Sequence, residues 1–308
     1  MKLTSLTTDK KIGIALGSGS SRGWAHIGVL EELATIGIEP VIVTGCSAGS
    51  IVGASYASGK LEELKRWVLS LTRLDVAKFL DINFTRKGFV NIDKLVEFFD
   101  RYVVEKERLI EDLPKPYSAV ATNLENGRET WFQKGRVIDA ILASIALPGL
   151  FPPYHLDNQW FVDGGLVNPV PVSLCRAINA NIVIAVNLNG DIVGKHFVKN
   201  LDASEKLLGR FDFLPSSLRE WSKNFFPNLS GRTYQPGLFD TIAGSINIAQ
   251  DRITRSRMAG DPPDIMLSPK LSHIGLMEFD RGAEAIEEGR ACVRRMLPEI
   301  EYVLKKLA

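Results

Sequence analysis

The chain has 308 residues, 45% of them hydrophobic, with 37 Lys and Arg against 36 Asp and Glu for a net charge of +1. That length and apolar content suit a substantial core and exclude a disordered or fibrous chain; the balance of charge gives no global electrostatic case for nucleic acid or an anionic membrane. Residues 1–11 are polar, no apolar run reaches the roughly 18 residues that span a bilayer, and Cys46, Cys175 and Cys292 form neither a disulfide framework nor a zinc pattern, so a soluble cytoplasmic protein without metal or organic cofactor is expected.

The first half alternates strand-like and helix-like segments. Ile12–Leu16 reads as a strand; residues 23–36 then carry Ile27, Leu30 and Ala34 on one helical face and stop at Gly37, a natural residue just past a helix end. A second strand, 41–44, leads into Gly45-Cys46-Ser47-Ala48-Gly49, and a helix over 50–58 runs up to Gly59. Gly49, Gly53 and Ala57 recur at intervals of four, a small-residue stripe that lets this helix lie close to a neighbouring layer. Another helix is predicted over 61–71. Strand, helix, strand, helix in short order argues for a parallel sheet covered on both faces.

The middle continues with a helix over 93–103, a hairpin of 117–122 and 129–132 around Asn126-Gly127, and a helix over 137–144 ending before Pro148-Gly149. Residues 160–162 are a short strand running into Asp163-Gly164-Gly165, and 181–188 (NIVIAVNL) is the clearest buried strand. Past about 190 the pattern loosens. Leu214, Leu218, Trp221 and Phe225 fall on one face of a short helix that Pro215 opens at 215–226; helices over 241–258 and 281–307 flank a strand at 264–267, with Pro298 expected to kink or break the last. The expected organisation is a catalytic domain over 10–190 and a mainly helical extension over 191–308 packed on it.

G-x-S-x-G at 45–49 has the form of a nucleophile elbow, in which flanking glycines let a serine sit at a sharp strand-to-helix turn. With 26 glycines, a chain of this length holds such a motif by chance roughly once in seven. Its position between a strand and a helix is what strengthens it. A serine nucleophile needs a base, and of the four histidines His26 lies inside the first helix while His155, His196 and His273 sit in unmarked, loop-like stretches. An elbow on only the second strand argues against a conventional Ser-His-Asp hydrolase. Asp163, at a strand end and followed by two glycines, is the best alternative base, since active residues of open sheets collect at such ends. Cys46 should point into the layer below. A dinucleotide-binding reading of the 17–23 turn, to which Tyr56 and Lys60 would add Y-x-x-x-K, fails because the second strand lacks the acidic residue that holds a ribose.

Gly17 to Gly23 with His26-Ile27-Gly28-Val29-Leu30, Gly45 to Gly49, Ala143-Ser144-Ile145-Ala146-Leu147-Pro148-Gly149, and Asp163-Gly164-Gly165 together resemble the four signatures of patatin-like phospholipases. They stand in family order, over roughly residues 10–190, nearest to small bacterial members related to the catalytic domain of neuropathy target esterase. The resemblance implies a three-layer α/β/α fold with a mainly parallel sheet and a Ser-Asp dyad without histidine, here Ser47 and Asp163. It also implies an oxyanion hole in the first loop, over Gly17, Gly19, Ser20, Arg22 and Gly23, with backbone N–H groups around Gly19 and Ser20 as donors. Arg22 either adds charge there, stands in solvent or binds phosphate. Gly45 and Gly49 shape the elbow, and Gly164 and Gly165 the aspartate turn. Ser18, Ser20 and Ser21 stand where relatives carry an almost unbroken glycine run, and positive φ there would strain a serine.

The activity expected from the resemblance is lipid acyl hydrolysis, of phospholipase or lysophospholipase type, through an acyl-enzyme. The alternatives are a regulatory or binding protein on the same fold with weak activity, and a lipid transacylase. Lipid ester is the expected partner, and 214–229 is a candidate peripheral contact with the inner face of the membrane, against a reading in which that face packs on the core or a second subunit.

Overall fold

The computed structural model describes residues 10–79, 92–191 and 238–307. In chain order the strands are β1 (Ile12–Leu16), β2 (Ile42–Cys46), β3 (Tyr117–Asn123), β4 (Glu129–Phe132), β5 (Tyr154–Leu156), β6 (Gln159–Asp163), β7 (Ile182–Val186) and β8 (Ile265–Leu267). The helices are α1 (Ala25–Thr35), α2 (Ala48–Ser58), α3 (Leu61–Ser70), α4 (Arg73–Phe79), α5 (Ile92–Tyr102), α6 (Val137–Ser144), α7 (Val172–Ala177), α8 (Leu238–Gly260) and α9 (Gly282–Leu307). One sheet runs β5-β6-β3-β2-β1-β7-β8, with β4 also paired to β3. Strands β3, β2, β1, β7 and β8 are mutually parallel, and β4, β5 and β6 are antiparallel to their neighbours.

Alternation along the strands sorts the helices into two layers. Ile14 and Leu16 of β1 join the larger core with Ile27 of α1, Val52 of α2, Ile141 of α6 and Val293 of α9. Ala15, between them, faces a smaller cluster with Val172 and Cys175 of α7, against which Met258 of α8 packs. Helices cover both faces, and the fold is three-layer α/β/α.

What reads in the sequence as an extension shares this sheet and these layers. β8 extends the sheet beside β7, and α9 runs along α1 in backbone contact, where a Cβ on Gly28 would lie 1.8 Å from Ile286 O and one on Gly289 2.1 Å from Ala25 O. Gly28→Ala forces the helices apart. Overpacking of this kind costs about 1–3 kcal/mol, more than the roughly 1 kcal/mol of helix propensity that alanine restores. A lower denaturant midpoint at unchanged m-value is therefore expected, and a midpoint at or above wild type would show that the helices separate freely.

Two local expectations are corrected, and two short helices were not foreseen. Of the kink or break expected at Pro298, the break does not occur: α9 continues through it, with Val293, Ile300 and Leu304 anchored in the core on both sides of the proline. His155 lies on β5 rather than in a loop, paired with Trp160 across the β5–β6 hairpin. α4 and α7 are too short to show a period. The segment 214–229 and His196 lie outside the described residues. Among the described residues no helix is long and apolar enough to cross a membrane.

Candidate active site

Two strands meet head to head beside β3. Val120 pairs with Trp131 of β4 and Cys46 of β2, and Ala121 with Thr130 of β4 and Asp163 of β6, so β4 takes one edge of β3 while β2 and β6 share the other. β2 arrives parallel and ends beside Val120; β6 arrives antiparallel and ends beside Ala121. Ser47, just past the end of β2, and Asp163, at the end of β6, 116 positions apart in the chain, are thus brought together.

Ser47 follows β2 at the turn into α2, with φ 55° and ψ −124°, a conformation L-residues avoid. The turn is tight because a Cβ on Gly45 would meet Gly49 O at 2.4 Å and one on Gly49 would meet Leu16 O at 2.1 Å. Ser47 is half-buried between buried neighbours, and its N–H donates to Ser144 Oγ at 2.9 Å. Cys46 is wholly buried; burial first, then the Asp163 charge, pushes its thiol well above the ordinary range, so it stays protonated.

Ser47 Oγ donates to Asp163 Oδ2 at 2.6 Å, and the other carboxylate oxygen, Oδ1, accepts the Gly165 N–H at 2.7 Å. Gly164 lies against β3, where a Cβ would meet Val120 O at 2.2 Å. Asp163 is fully buried, and burial raises its pKa from 3.8 to about 6 against the opposing pull of the Ser47 and Gly165 hydrogen bonds. No described histidine touches either residue. His26 Nε2 sits 2.8 Å from Gly17 O in the core, His273 Nε2 lies 2.7 Å from Glu284 Oε1, and the His155 ring stands 4.6 Å from that of Trp160.

The first loop departs in part from expectation. Gly17 N–H donates to Val186 O at 3.0 Å and Arg22 N–H to Gly19 O at 3.2 Å, so the fold has taken up both amides and neither is open to an oxyanion. Gly23 serves packing, since a Cβ there would meet Ala48 Cβ at 2.3 Å. The Gly19 and Ser20 amides make no hydrogen bond among the described residues, and both residues line a cavity with Ser47. Ala48, absent from the expected set, opens α2 and has an amide left over by the helix start.

Ser20 has φ 52°, as a glycine position would, and its hydroxyl donates to Leu276 O at 2.6 Å. Ser21 Oγ donates to Gly275 O at 2.6 Å, and Ser18 Oγ to Gln250 Oε1 at 3.0 Å. The serines therefore clip the loop to its surroundings. Arg22 is not solvated: it is fully buried, with Nε on Gly19 O at 3.1 Å and Nη2 on Asn247 Oδ1 at 3.4 Å. Burial lowers its pKa to about 10, leaving it charged at neutral pH.

Ser47 and Asp163 open into a cavity of about 1060 Å³, its open mouth included, walled by Trp67, Leu95, Phe98, Phe99, Leu147 and Leu150 among others. Its polar lining comes from the first loop and from Asn247 and Gln250 of α8. Sequence reasoning assigned no residue to this wall and missed the roles of Ser144 and Gln250; Ser144 and Leu147 had a signal, lying inside a quoted motif, and Gln250 had none. Among the described residues no group of His, Cys, Asp and Glu is placed to hold a metal ion.

Residues 14–176 match the family model of patatin-like phospholipases. An uncharacterized NTE family protein of Mycobacterium tuberculosis is 31% identical over 340 residues, covering 96% of this chain and 93% of that one. Another from the same organism is 29% identical over 297 residues, 94% of this chain and 46% of the relative. Patatin-like phospholipase domain-containing protein 6 of Mus musculus is 30% identical over 194 residues, 61% of this chain and 14% of the mouse protein. VipD from Legionella pneumophila aligns in structure with a TM-score of 0.36 at 12% identity, over 96% of this chain and 79% of that one. The chain belongs to the patatin-like phospholipase family.

Proposed function

We propose that this protein is a serine lipid acyl hydrolase of phospholipase or lysophospholipase type, working through a Ser47–Asp163 dyad. The observation that carries the reading is the 2.6 Å hydrogen bond from Ser47 Oγ to a buried carboxylate at the mouth of an apolar cavity. Ser47 Oγ attacks the ester carbonyl as its proton passes to Asp163 Oδ2, and the Gly19, Ser20 and Ala48 amides stabilise the negative charge that forms on the carbonyl oxygen. Asp163 returns the proton to the departing alcohol. Water, deprotonated by the same carboxylate, then attacks the acyl-enzyme, releasing the fatty acid and restoring the Ser47 hydroxyl. A pKa near 6 keeps the base mostly ionised at neutral pH while leaving it basic enough to take a proton.

The aromatic and aliphatic wall suits an acyl chain, and residues 214–229 are the proposed membrane contact. The test is incubation of the purified chain with phospholipids, lysophospholipids and short p-nitrophenyl esters beside Ser47→Ala. Fatty acid release that depends on Ser47 is expected. Absence of release from every ester would leave a binding role on this fold, and acyl transfer to an added lipid alcohol in preference to water would make it a transacylase.

A further inference from the structure

Gln250 sits on α8, beyond the 14–176 segment matched by the family model, and joins two parts of the site. Its Oε1 accepts from Ser18 Oγ at 3.0 Å and from Asn189 Nδ2 at 3.0 Å, while Asn189 Nδ2 also reaches Ser18 Oγ at 3.1 Å, a closed triangle of buried polar groups behind the first loop. The other end of the amide lies over the aspartate turn. A Cβ placed on Gly165 would be 2.3 Å from Gln250 Nε2 and 3.0 Å from Asp163 Oδ1, so the amide nitrogen and the carboxylate are no more than about 5.3 Å apart. Gly165 is also the residue whose N–H holds Asp163 Oδ1. One side chain thus spans the loop that carries the Gly19 and Ser20 amides and the turn that carries the carboxylate.

We propose that Gln250 is a positioning residue that holds the first loop and the Asp163 turn in register, so that oxyanion donors and base act on one carbonyl. The proposal rests on the reading of Ser47 and Asp163 as a dyad. The two hydrogen bonds that Gln250 Oε1 accepts fix its side chain, because breaking them would leave buried donors unsatisfied, and small displacements of catalytic groups lower turnover more than binding. The apolar wall proposed to take the acyl chain is built from other residues, among them Trp67, Leu95, Phe98 and Leu150.

Glutamate at 250 separates position from packing. It keeps the shape and both hydrogen bonds to Oε1, yet places a second carboxylate beside Asp163. Among the described residues the Cys46 thiol feels the Asp163 charge, Glu129 of β4, held by Arg257 and Asn168, acts on that same thiol, and the Arg22 guanidinium lines the cavity with Asp163. Two carboxylates at that separation titrate as a coupled pair whose upper step lies above that of either alone.

The experiment measures kcat, KM and the pH profile on a short soluble ester for wild type, Gln250→Ala, Gln250→Glu and Ser47→Ala, with circular dichroism as the folding control. Gln250→Ala should lower kcat about 10-fold or more with KM within about 2-fold, and Gln250→Glu should move the acid limb upward by about one pH unit. A kcat within about 2-fold of wild type in Gln250→Ala, a loss confined to KM, or an unmoved acid limb in Gln250→Glu overturns the proposal. Should Gln250→Ala fail to fold, the limb shift in the isosteric Gln250→Glu decides alone. Turnover retained in Ser47→Ala would instead remove the dyad reading, and the proposal with it.

Discussion

Ser47→Ala should abolish ester hydrolysis, by on the order of 10⁴-fold or more, while Cys46→Ala retains it within about 3-fold. The two residues are adjacent and differ in where the elbow sends them. Ser47, at φ 55°, presents Oγ to the cavity and to Asp163, whereas Cys46 ends β2 fully buried with a thiol held protonated. Removing the cysteine sulfur leaves a small void in the core and costs on the order of 1 kcal/mol of stability, seen in melting rather than turnover. Steady-state assays on one soluble ester, with melting curves alongside, check both halves. Loss of activity in Cys46→Ala at unchanged melting would assign the chemistry to sulfur instead.

Asp163→Asn should lower kcat by on the order of 10²-fold or more. Because the carboxylate must be ionised to take the Ser47 proton, wild-type kcat/KM should rise with pH through an inflection near 6, not near the ordinary 3.8. The same burial acts on stability with the opposite sense. A carboxyl group whose folded pKa exceeds its unfolded one binds more protons in the native state, so stability falls as pH rises from 3.8 to about 6. The loss amounts to about 2–3 kcal/mol at most. Asp163→Asn escapes it, and should melt at a higher temperature than wild type at pH 8 but near it at pH 4. A variant no more stable than wild type at the higher pH would show that the carboxylate is better solvated than its burial implies. Replacing His26, His155 or His273 by Gln should leave the inflection in place, since none reaches Ser47 or Asp163.

The parallel core was legible because its signals are local. Apolar runs such as residues 181–188 end at glycines, and Gly45 and Gly49 mark a turn whose tightness follows from the backbone contacts they permit. The serine could be picked out for the same reason. Its pairing with Asp163 could not be derived from spacing, because it arises from a register in which β2 and β6 abut along one edge of β3, and here the family resemblance supplied what periodicity lacked. Long-range polar contacts left no local signal. Nothing local marks Arg22, Asn247 or Gln250 as buried, yet each is, because hydrogen bonds between the first loop and α8 hold them: Arg22 Nη2 to Asn247 Oδ1 and Ser18 Oγ to Gln250 Oε1. At Pro298 the expected break does not occur, the proline's local preference for ending a helix being outweighed by core packing on either side.

The pairing of Ser47 with a buried carboxylate makes Ser47 the one activated hydroxyl of the proposed site. Treating the protein with a fluorophosphonate and mapping the adduct by peptide mass spectrometry tests this most directly. A single stoichiometric adduct on Ser47 is expected, absent from Ser47→Ala and formed far more slowly in Asp163→Asn. An adduct on Cys46 or another serine, or a Ser47 that reacts equally fast without the Asp163 carboxylate, would contradict it.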